Sequence, residues 1–484
     1  MIQGANVLRN GIHNRLTVKT SAMRSDRTLA RYYKYCGRNN YDAAEKDLIW
    51  GIAKTNCRNS STNFMNKFTE LSVKIRKSWK VLGPGLITGA SDDDPSGIAT
   101  YTQAGAAFGL STLWTALITF PLMACIQEMC ARIGAVTSLG LSGVLKRHYP
   151  KPILYTMMIF SFPAIVLNIG ADIEGMGAVA HMLFPAVPIF AFEIVFTALI
   201  LYGVILYPYQ KLAGILKWLC LVLLLYILIP FLVKVNWGQV LKHTVIPTIH
   251  FNKDFFEILV AILGTTISPY LFFWQATMEV EDIANSRRRV VVNKVFMDKM
   301  AKDVYLGMFF SNLVMFFIIL TAGVVLYNAG IHKVETVDQA AKALSPLAGK
   351  VTYALFAIGV IGTGFLAIPV LGGSLSYIVA ETFNWRQGLD KKFNQAPGFY
   401  LTLVVSLLAG LCLDFLDISP IQALLYTAIL YGLTAPVMIA VLLHICNNPK
   451  IMGEAVNKRG SNILGTACLV MMTLAAIALI WFQF

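Results

Sequence analysis

Long apolar runs separated by short polar segments fill the chain from residue 82 onward. A helix needs about 20 mainly apolar residues to cross the hydrocarbon core of a bilayer, and eleven runs approach or exceed that length. They lie near 82–108, 111–134, 152–182, 189–207, 211–234, 255–278, 304–327, 349–380, 399–415, 419–446 and 463–483. The pattern predicts an all-α polytopic membrane protein with eleven transmembrane helices.

The composition agrees with that prediction. Of the 484 residues, 56% are hydrophobic and 14% are charged, whereas soluble domains carry about 25% charged residues. A water-soluble enzyme is therefore not expected. An outer-membrane barrel is excluded too, because it would need short strands of alternating polarity instead of long apolar runs.

The first residues have a different character. Residues 1 to about 62 are polar and basic, and they lack the ordered regions of a signal peptide. We predict a basic cytoplasmic tail over 1–80, disordered in large part, and a transmembrane domain over 81–484.

The charge of the chain points to a membrane and not to nucleic acid. The formal net charge is +14, but the basic residues lie in the tail and in the loops between spans, as the positive-inside rule describes. If the protein lies in the plasma or inner membrane with its N-terminus in the cytoplasm, most basic loop residues lie on the cytoplasmic side. Those inner charges are Lys146, Arg147, Lys151, Lys211, Arg287, Arg288, Arg289, Lys294, Lys299, Lys302, Arg386, Lys391, Lys392, Lys450, Lys458 and Arg459.

Two of the apolar segments are interrupted by polar residues and proline. The first contains Asp94-Pro95-Ser96-Gly97, and the sixth contains GTTISPYLFFWQ (264–275), with Pro269 at its centre. These segments open two halves of five spans each, about 82–234 and 255–446, with an extra helix at 463–483. Interrupted helices at matching positions of two halves are typical of inverted-repeat transporters that bind substrate at the midplane. A simple packing kink is the alternative for the sixth segment.

Three consecutive aspartates, Asp92 to Asp94, stand at the first interruption. A charge near the bilayer centre costs at least about 2.5–3.5 kcal/mol on insertion scales, so such residues are functional by default. Proline frees backbone carbonyls by removing a hydrogen-bond donor. Carboxylates beside freed carbonyls predict a cation site. Asp94 adjoins Pro95, whereas we assign Asp92 and Asp93 to an aqueous vestibule or to the helix break itself.

At these two interruptions the chain resembles the NRAMP family of divalent metal transporters, over roughly residues 80–484. The family motifs are Asp-Pro-Gly-Asn and Met-Pro-His. Asp94, Pro95 and Pro269 match them, while Gly97, Ser268 and Tyr270 replace Asn, Met and His. The resemblance implies a LeuT-like fold. It places the metal between Asp94, backbone carbonyls near Ser91 and Thr265, and the side chain at position 268, with Thr434 in YGLTAPVM (431–438), a predicted break in span ten, nearby.

The departures from the motifs bear on the choice of metal. The family's methionine supplies a soft thioether, whereas Ser268 supplies a hard oxygen, and Gly97 removes an amide. An all-oxygen site suits Mg²⁺, Ca²⁺ or Mn²⁺, and small side chains leave room for the waters that Mg²⁺ retains. The pattern is similar to the NRAMP-related branch associated with magnesium transport. We expect magnesium first and manganese second, with no resident cofactor.

Proton coupling is left open by the sequence. Tyrosine ordinarily ionises near pH 10, so Tyr270 cannot replace the family's histidine as a proton acceptor at neutral pH. Asp172 and Glu174 in NIGADIEGMG resemble the family's acidic third-helix motif. They are candidates for a proton or ion path, with a structural role as the alternative. Glu128 is a third candidate, but it can instead pair with Arg132 one helical turn away.

Three other functions are considered. One is an ordinary proton-coupled Mn²⁺ or Fe²⁺ importer of this family. Another is an amino-acid or organic-cation symporter on the same fold, although three aspartates would repel a carboxylate substrate. An intramembrane aspartyl protease has only the pair Asp94 and Asp172 in its favour. We therefore expect no enzyme, a metal ion and the lipid membrane as partners, and no nucleic acid; the oligomeric state stays open.

Overall fold

The computed structural model describes residues 83–207, 225–285, 291–344, 352–412 and 419–482. Every regular element within these ranges is a helix, which confirms the predicted all-α class. The predicted N-terminal tail and most of the predicted span 211–234 lie outside the described residues.

The helices of the first half are labelled in chain order. They are α1 (Pro84–Asp92), α2 (Pro95–Phe108), α3 (Leu113–Thr137), α4 (Leu141–His148), α5 (Lys151–Leu183), α6 (Ile189–Leu206), α7 (Leu225–Leu232) and α8 (Trp237–Val245).

The remaining helices follow the same numbering. They are α9 (Lys253–Thr266), α10 (Pro269–Asn285), α11 (Lys294–Val325), α12 (Val337–Ala341), α13 (Thr352–Phe383), α14 (Pro397–Leu411), α15 (Pro420–Cys446), α16 (Pro449–Met452) and α17 (Arg459–Trp481).

Eight helical stretches of the described chain are long and apolar enough to cross a membrane. Each corresponds to one of the predicted segments. The first predicted span, α1 and α2, is absent from this set, since it carries three consecutive aspartates, and the ninth is the shorter apolar helix α14. The fifth is described only over α7.

Both predicted interruptions are real breaks in the helices. Asp94 has extended backbone angles and caps α2, whose first residue is Pro95. In the sixth span, α9 ends at Thr266, with Ile267 as its C-cap, and α10 begins at Pro269. Proline at the first position of each second half is favourable there, because that N–H would lack an intrahelical partner anyway.

Proline alone does not break the other helices. Pro121, Pro163, Pro369 and Pro436 all lie inside continuous helices. The predicted break in span ten at YGLTAPVM was therefore wrong, since α15 runs through Pro436. Packed neighbours and local adjustments can satisfy backbone groups freed by proline in a membrane helix, so the two true breaks are distinguished by the polar residues beside their prolines.

Glycine contacts hold both halves of the first span against α11. A Cβ added at Gly89 would lie 2.4 Å from the Gly307 carbonyl, and one added at Gly105 would lie 2.4 Å from the Ile319 carbonyl. Without a side chain, the backbones of two membrane helices can approach closely. The same kind of contact joins α9 to α15, where a Cβ added at Gly264 would clash with the Ala428 carbonyl. The two breaks are thereby fixed in the interior.

Candidate metal-binding site

Asp94 lies at the centre of the first break, with both carboxylate oxygens engaged. Its Oδ1 accepts hydrogen bonds from the Ser96 hydroxyl and the Gly97 N–H, each at 2.7 Å. Its Oδ2 accepts one from the Asn168 side-chain amide of α5 at 3.0 Å. The bond from the Gly97 N–H is the capping interaction that begins α2. Together these hydrogen bonds hold the carboxylate at the break, where it is 2% exposed.

The second broken span meets the first at Gly97. A Cβ added to Gly97 would lie 3.3 Å from the Thr265 hydroxyl and 3.4 Å from Asp94 Oδ1. The structure therefore brings together Asp94, Gly97 and Thr265, as the sequence predicted. It also shows that a larger residue at position 97 would crowd both polar groups.

Ser268 and Tyr270 contact the backbone of the two breaks. The Ser268 hydroxyl donates toward the Thr265 carbonyl at 2.7 Å and lies 3.1 Å from the Gly264 carbonyl. The Tyr270 hydroxyl donates to the Ser91 carbonyl at 3.3 Å. The two carbonyls predicted as metal ligands thus each accept a hydroxyl, which leaves each of them a second lone pair for a cation.

Asn168 links Asp94 to Asp172, and sequence reasoning missed it. Its amide nitrogen lies 3.5 Å from Asp172 Oδ2 and 3.0 Å from Asp94 Oδ2. Asp172 Oδ1 and Asn168 Oδ1 are buried and have no hydrogen-bond partner among the described residues. Asn168 precedes Asp172 by one helical turn, and that spacing was the only signal in the sequence. Two unsatisfied oxygens beside Asp94 are available to a cation or to water.

Asp92 and Asp93 are buried at the break, 1% and 4% exposed. Of the two predicted settings, vestibule or helix break, the structure places both at the helix break. The Ser311 hydroxyl of α11 donates to Asp92 Oδ2 at 2.7 Å and lies 3.4 Å from Asp93 Oδ1. These two carboxylates thus face α11, whereas Asp94 faces α5. Ser311 was also missed from sequence, because a serine inside a span is unremarkable.

The four carboxylates at the breaks lack basic partners within the described chain. None of the ion pairs found there involves Asp92, Asp93, Asp94 or Asp172. Buried charges need a partner or a metal, because their removal from water is unfavourable. Carboxylate, hydroxyl and carbonyl oxygens together suit hard divalent cations. The geometry thus fits a cation passing between the two broken spans.

The family profile "Natural resistance-associated macrophage protein-like" matches residues 85–482. The chain belongs to the NRAMP family. It is therefore a membrane transporter of the divalent-metal class and not an enzyme.

Individual NRAMP proteins agree with this assignment. The "Divalent metal cation transporter MntH" of Caldanaerobacter subterraneus is 24% identical over 399 residues, which cover 82% of this chain and 91% of the relative. The Bacillus subtilis protein of the same name is 23% identical over 409 residues, covering 82% and 91%. A crystal structure of the Eremococcus coleocola manganese transporter superposes with a TM-score of 0.66, at 19% identity, over 82% and 86% of the two chains. That likeness shows a shared fold.

Thr434, a further residue suggested by the NRAMP resemblance, lies on α15. Its hydroxyl donates to the Leu430 and Tyr431 carbonyls of its own helix, at 3.0 and 3.2 Å. The neighbouring Tyr431 ring lies 5.7 Å from the Tyr270 ring. Helix α15 thus contacts the site through Tyr431, and a metal-binding role for Thr434 stays a prediction.

Glu128 pairs with Arg132 at 3.1 Å, as one of the two alternatives predicted. Arg132 also donates to the Ala455 carbonyl at 3.0 Å and to Asn457 at 2.7 Å. This network ties α3 to the segment before α17. Glu174 is buried on α5, two residues beyond Asp172. A place for Glu128 or Glu174 on an ion path stays a prediction.

A polar chain along α10 was not foreseen from the NRAMP motifs. The Thr88 hydroxyl of α1 donates to Gln275 at 2.6 Å, and the Gln275 amide donates to Glu279 at 3.0 Å. At the start of α1, Asp303 accepts from the Gly83 and Gly85 N–H groups at 3.2 and 2.8 Å. Polar residues one turn apart in ATMEVED and WQAT were the available signal. These bonds join α10 to α1 through Thr88 and join α11 to the start of α1 through Asp303.

Proposed function

We propose that this transporter carries Mg²⁺, and Mn²⁺ second, across a cell membrane through the gap between its two broken helices. The observation that supports the choice of metal is the serine at position 268. Its oxygen stands beside the Thr265 carbonyl where the family motif has a sulfur atom. Hard oxygen ligands favour hard cations, whereas thioethers favour softer ones.

In this proposal each group has a defined part in holding the cation. Asp94 supplies negative charge, and its three hydrogen bonds fix its position. Ser268 directs its proton to the helix backbone, so its oxygen presents lone pairs. The carbonyls of Ser91 and Thr265 add neutral oxygens. Gly97 and Ser268 are small, which leaves room for waters that Mg²⁺ gives up reluctantly.

The proposal further holds that proton transport is not required. Tyr270 donates its proton to the Ser91 carbonyl and is no proton acceptor at neutral pH. The membrane potential is a sufficient alternative. A divalent cation gains about 4.6 kcal/mol across about 100 mV, at roughly 2.3 kcal/mol per charge. That energy supports an inward gradient of about a thousandfold.

The second candidate function is a proton-coupled manganese importer. Two observations favour it: the relatives are named MntH, and a manganese transporter shares the fold. In that case Asp172, linked to Asp94 through Asn168, would be the group outside the broken spans that exchanges a proton.

The proposal also includes the orientation of the protein in the membrane and the motion of its two broken spans. We place the N-terminus, with the tail over 1–80, in the cytoplasm of a cell bounded by a plasma or inner membrane, because basic loop residues then lie inside. Access alternates as the first and sixth spans, α1–α2 and α9–α10, move against the remaining helices. Both breaks supply the hinges for this motion.

Uptake into liposomes tests the proposed function. The purified protein is reconstituted, a negative-inside potential is imposed, and uptake of a radioactive Mn²⁺ tracer is followed with unlabelled Mg²⁺ as competitor. We expect tracer uptake that Mg²⁺ suppresses, that Asp94→Asn abolishes and that Asp298→Asn on the exposed part of α11 retains. Tracer uptake that a large excess of Mg²⁺ leaves unchanged would refute the magnesium assignment and favour the manganese importer.

A further inference from the structure

The side of the first break that faces α11 carries two carboxylates outside the proposed ligand set. Asp92 is the last residue of α1 and Asp93 is its C-cap. Both contact Ser311 of α11, whereas Asp94 contacts Asn168 of α5. Consecutive residues thus direct their charges to two different helices. The break therefore has two separate acidic sides.

The two sides differ in the number of hydrogen bonds that their carboxylates accept. Asp94 accepts three hydrogen bonds, from Ser96, Gly97 and Asn168. Asp92 and Asp93 share a single hydroxyl, which has only one proton to donate. A charged group that is buried without enough donors is unfavourable unless a cation accompanies it. The need for a cation is consequently greater at Asp92 and Asp93 than at Asp94.

One carboxylate oxygen on this side of the break is free to bind a cation. Asp92 Oδ1 is buried, in a residue 1% exposed, and it has no hydrogen-bond partner among the described residues. No ion pair with Asp92 or Asp93 is found in that part of the chain either. The donors that meet here are oxygens of two carboxylates and a hydroxyl, which is the chemistry of a hard divalent cation.

We propose a second cation position, formed by Asp92, Asp93 and Ser311, that holds a hard divalent cation on the α11 side of the break. It rests on the proposed function, because both positions serve one cation route. If Asp92, Asp93, Asp94 and Asp172 are all ionised when the positions are filled, two divalent cations balance their charge. Adjacent cations repel one another, so occupation of the second position promotes release from the first, as in other multi-site pathways.

Binding of Mn²⁺ to the purified full-length transporter tests this proposal, because Mn²⁺ is paramagnetic and suits oxygen sites. Bound Mn²⁺ is counted by equilibrium titration and followed by electron paramagnetic resonance. We expect two Mn²⁺ per chain, with spectra broadened by the coupling between neighbouring ions. Asp92→Asn and Asp93→Asn should each leave one Mn²⁺ and a narrow spectrum, and Asp94→Asn should leave the other.

Ser311→Ala provides a milder variant in case a carboxylate substitution impairs folding. Ser311 both borders the second position and orients the Asp92 carboxylate; loss of an orienting partner alone weakens metal binding by about 10- to 100-fold, and we expect at least this weakening for one of the two Mn²⁺ ions. Ser406→Ala on α14 is the matched control, since its hydroxyl bonds only the Leu403 carbonyl of its own helix. This control should bind both ions as the unaltered protein does.

The possible results distinguish failure of the second cation position from failure of the proposed function. A single Mn²⁺ that is lost in Asp94→Asn and retained in both Asp92→Asn and Ser311→Ala would overturn the second position and leave the proposed function standing. A single Mn²⁺ lost in every variant would overturn it too, because all three aspartates would then form one site. No bound Mn²⁺ and no tracer uptake would overturn the proposed function itself.

Discussion

At the scale of single residues, the proposed choice of metal depends on position 268. Serine places a hydroxyl oxygen against the Thr265 carbonyl, and it is small enough to leave space for water around a cation. Gly97 has the same effect on the opposite break, where any Cβ would crowd Thr265 and Asp94. Gly97 and Ser268 are smaller than the Asn and Met of the family motifs, and Ser268 replaces a soft sulfur, while the Asp94 carboxylate is retained.

Ser268→Met is expected to shift preference from Mg²⁺ toward Mn²⁺ and Cd²⁺. A thioether binds soft cations better than a hydroxyl does, and a difference of about 1.4 kcal/mol changes the ratio of uptake rates about tenfold. Competition among the three cations in proteoliposomes measures the ratio. Ser268→Ala is the control, because it removes the oxygen and adds no sulfur. An unchanged ratio in Ser268→Met would show that position 268 does not face the cation.

The sequence predicted some residues of the site and missed others for a physical reason. Asp94 was identifiable because a carboxylate beside proline in an apolar run is rare and unfavourable unless it is used. Asn168 and Ser311 were missed because uncharged polar residues are tolerated throughout membrane helices. Their importance depends on which helices are neighbours, and only the packing of α5 and α11 around the break reveals it.

At the scale of helices, α11 is the element against which the whole broken span packs. Gly307 faces Gly85 and Leu86 of α1, and Gly323 faces Gly109 at the end of α2. Close backbone contact substitutes for the hydrophobic effect, which does not drive helices together inside lipid. The same helix carries Ser311 and Asp303, so it positions both the carboxylates and the start of α1.

Gly307→Ala should destabilise the protein. Its Cβ would lie 2.2 Å from the Gly85 carbonyl, and overpacking of this kind costs about 1–3 kcal/mol. Thermal unfolding in detergent measures the loss. Gly460→Ala is the matched control, because nothing lies within 4 Å of the added Cβ. Equal unfolding temperatures for the two variants would contradict the tight α1–α11 contact.

Glu128→Gln separates a structural role from a place on the ion path. Glu128 accepts a hydrogen bond from Arg132, which also anchors the segment before α17. Loss of the charge-assisted bond should lower the free energy of unfolding by about 1.5–3 kcal/mol while tracer uptake per folded transporter is retained. Uptake that falls with stability unchanged would instead place Glu128 on the ion path.

Broken helices were predictable at the scale of elements, but not every proline marks one. The breaks at Pro95 and Pro269 were identified correctly, because polar residues adjoin each proline. Pro436 was assigned a break by the same reasoning and lies within continuous α15. The difference lies in position: Asp94 and Ser268 immediately precede their prolines, whereas Thr434 lies two residues before Pro436.

At the scale of the whole molecule, two broken spans meet in the interior beside α5, and the carboxylates of Asp92, Asp93, Asp94 and Asp172 have no basic partner among the described residues. Three consecutive aspartates of one apolar segment thus face two helices. Asp94 contacts α5, whereas Asp92 and Asp93 contact α11. The family and the all-α fold were predictable from spans and motifs. The division of the aspartates between two sides was not, because it depends on the backbone direction at the break.

The central claim is that Mg²⁺ crosses at an all-oxygen site without an obligatory proton. The most direct test is Mg²⁺ entry into proteoliposomes that contain a magnesium indicator and a pH indicator, under a negative-inside potential. We predict Mg²⁺ entry that grows with the potential and leaves the internal pH unchanged. Entry of Mn²⁺ alone, accompanied by internal acidification, would contradict the account and identify a proton-coupled manganese importer.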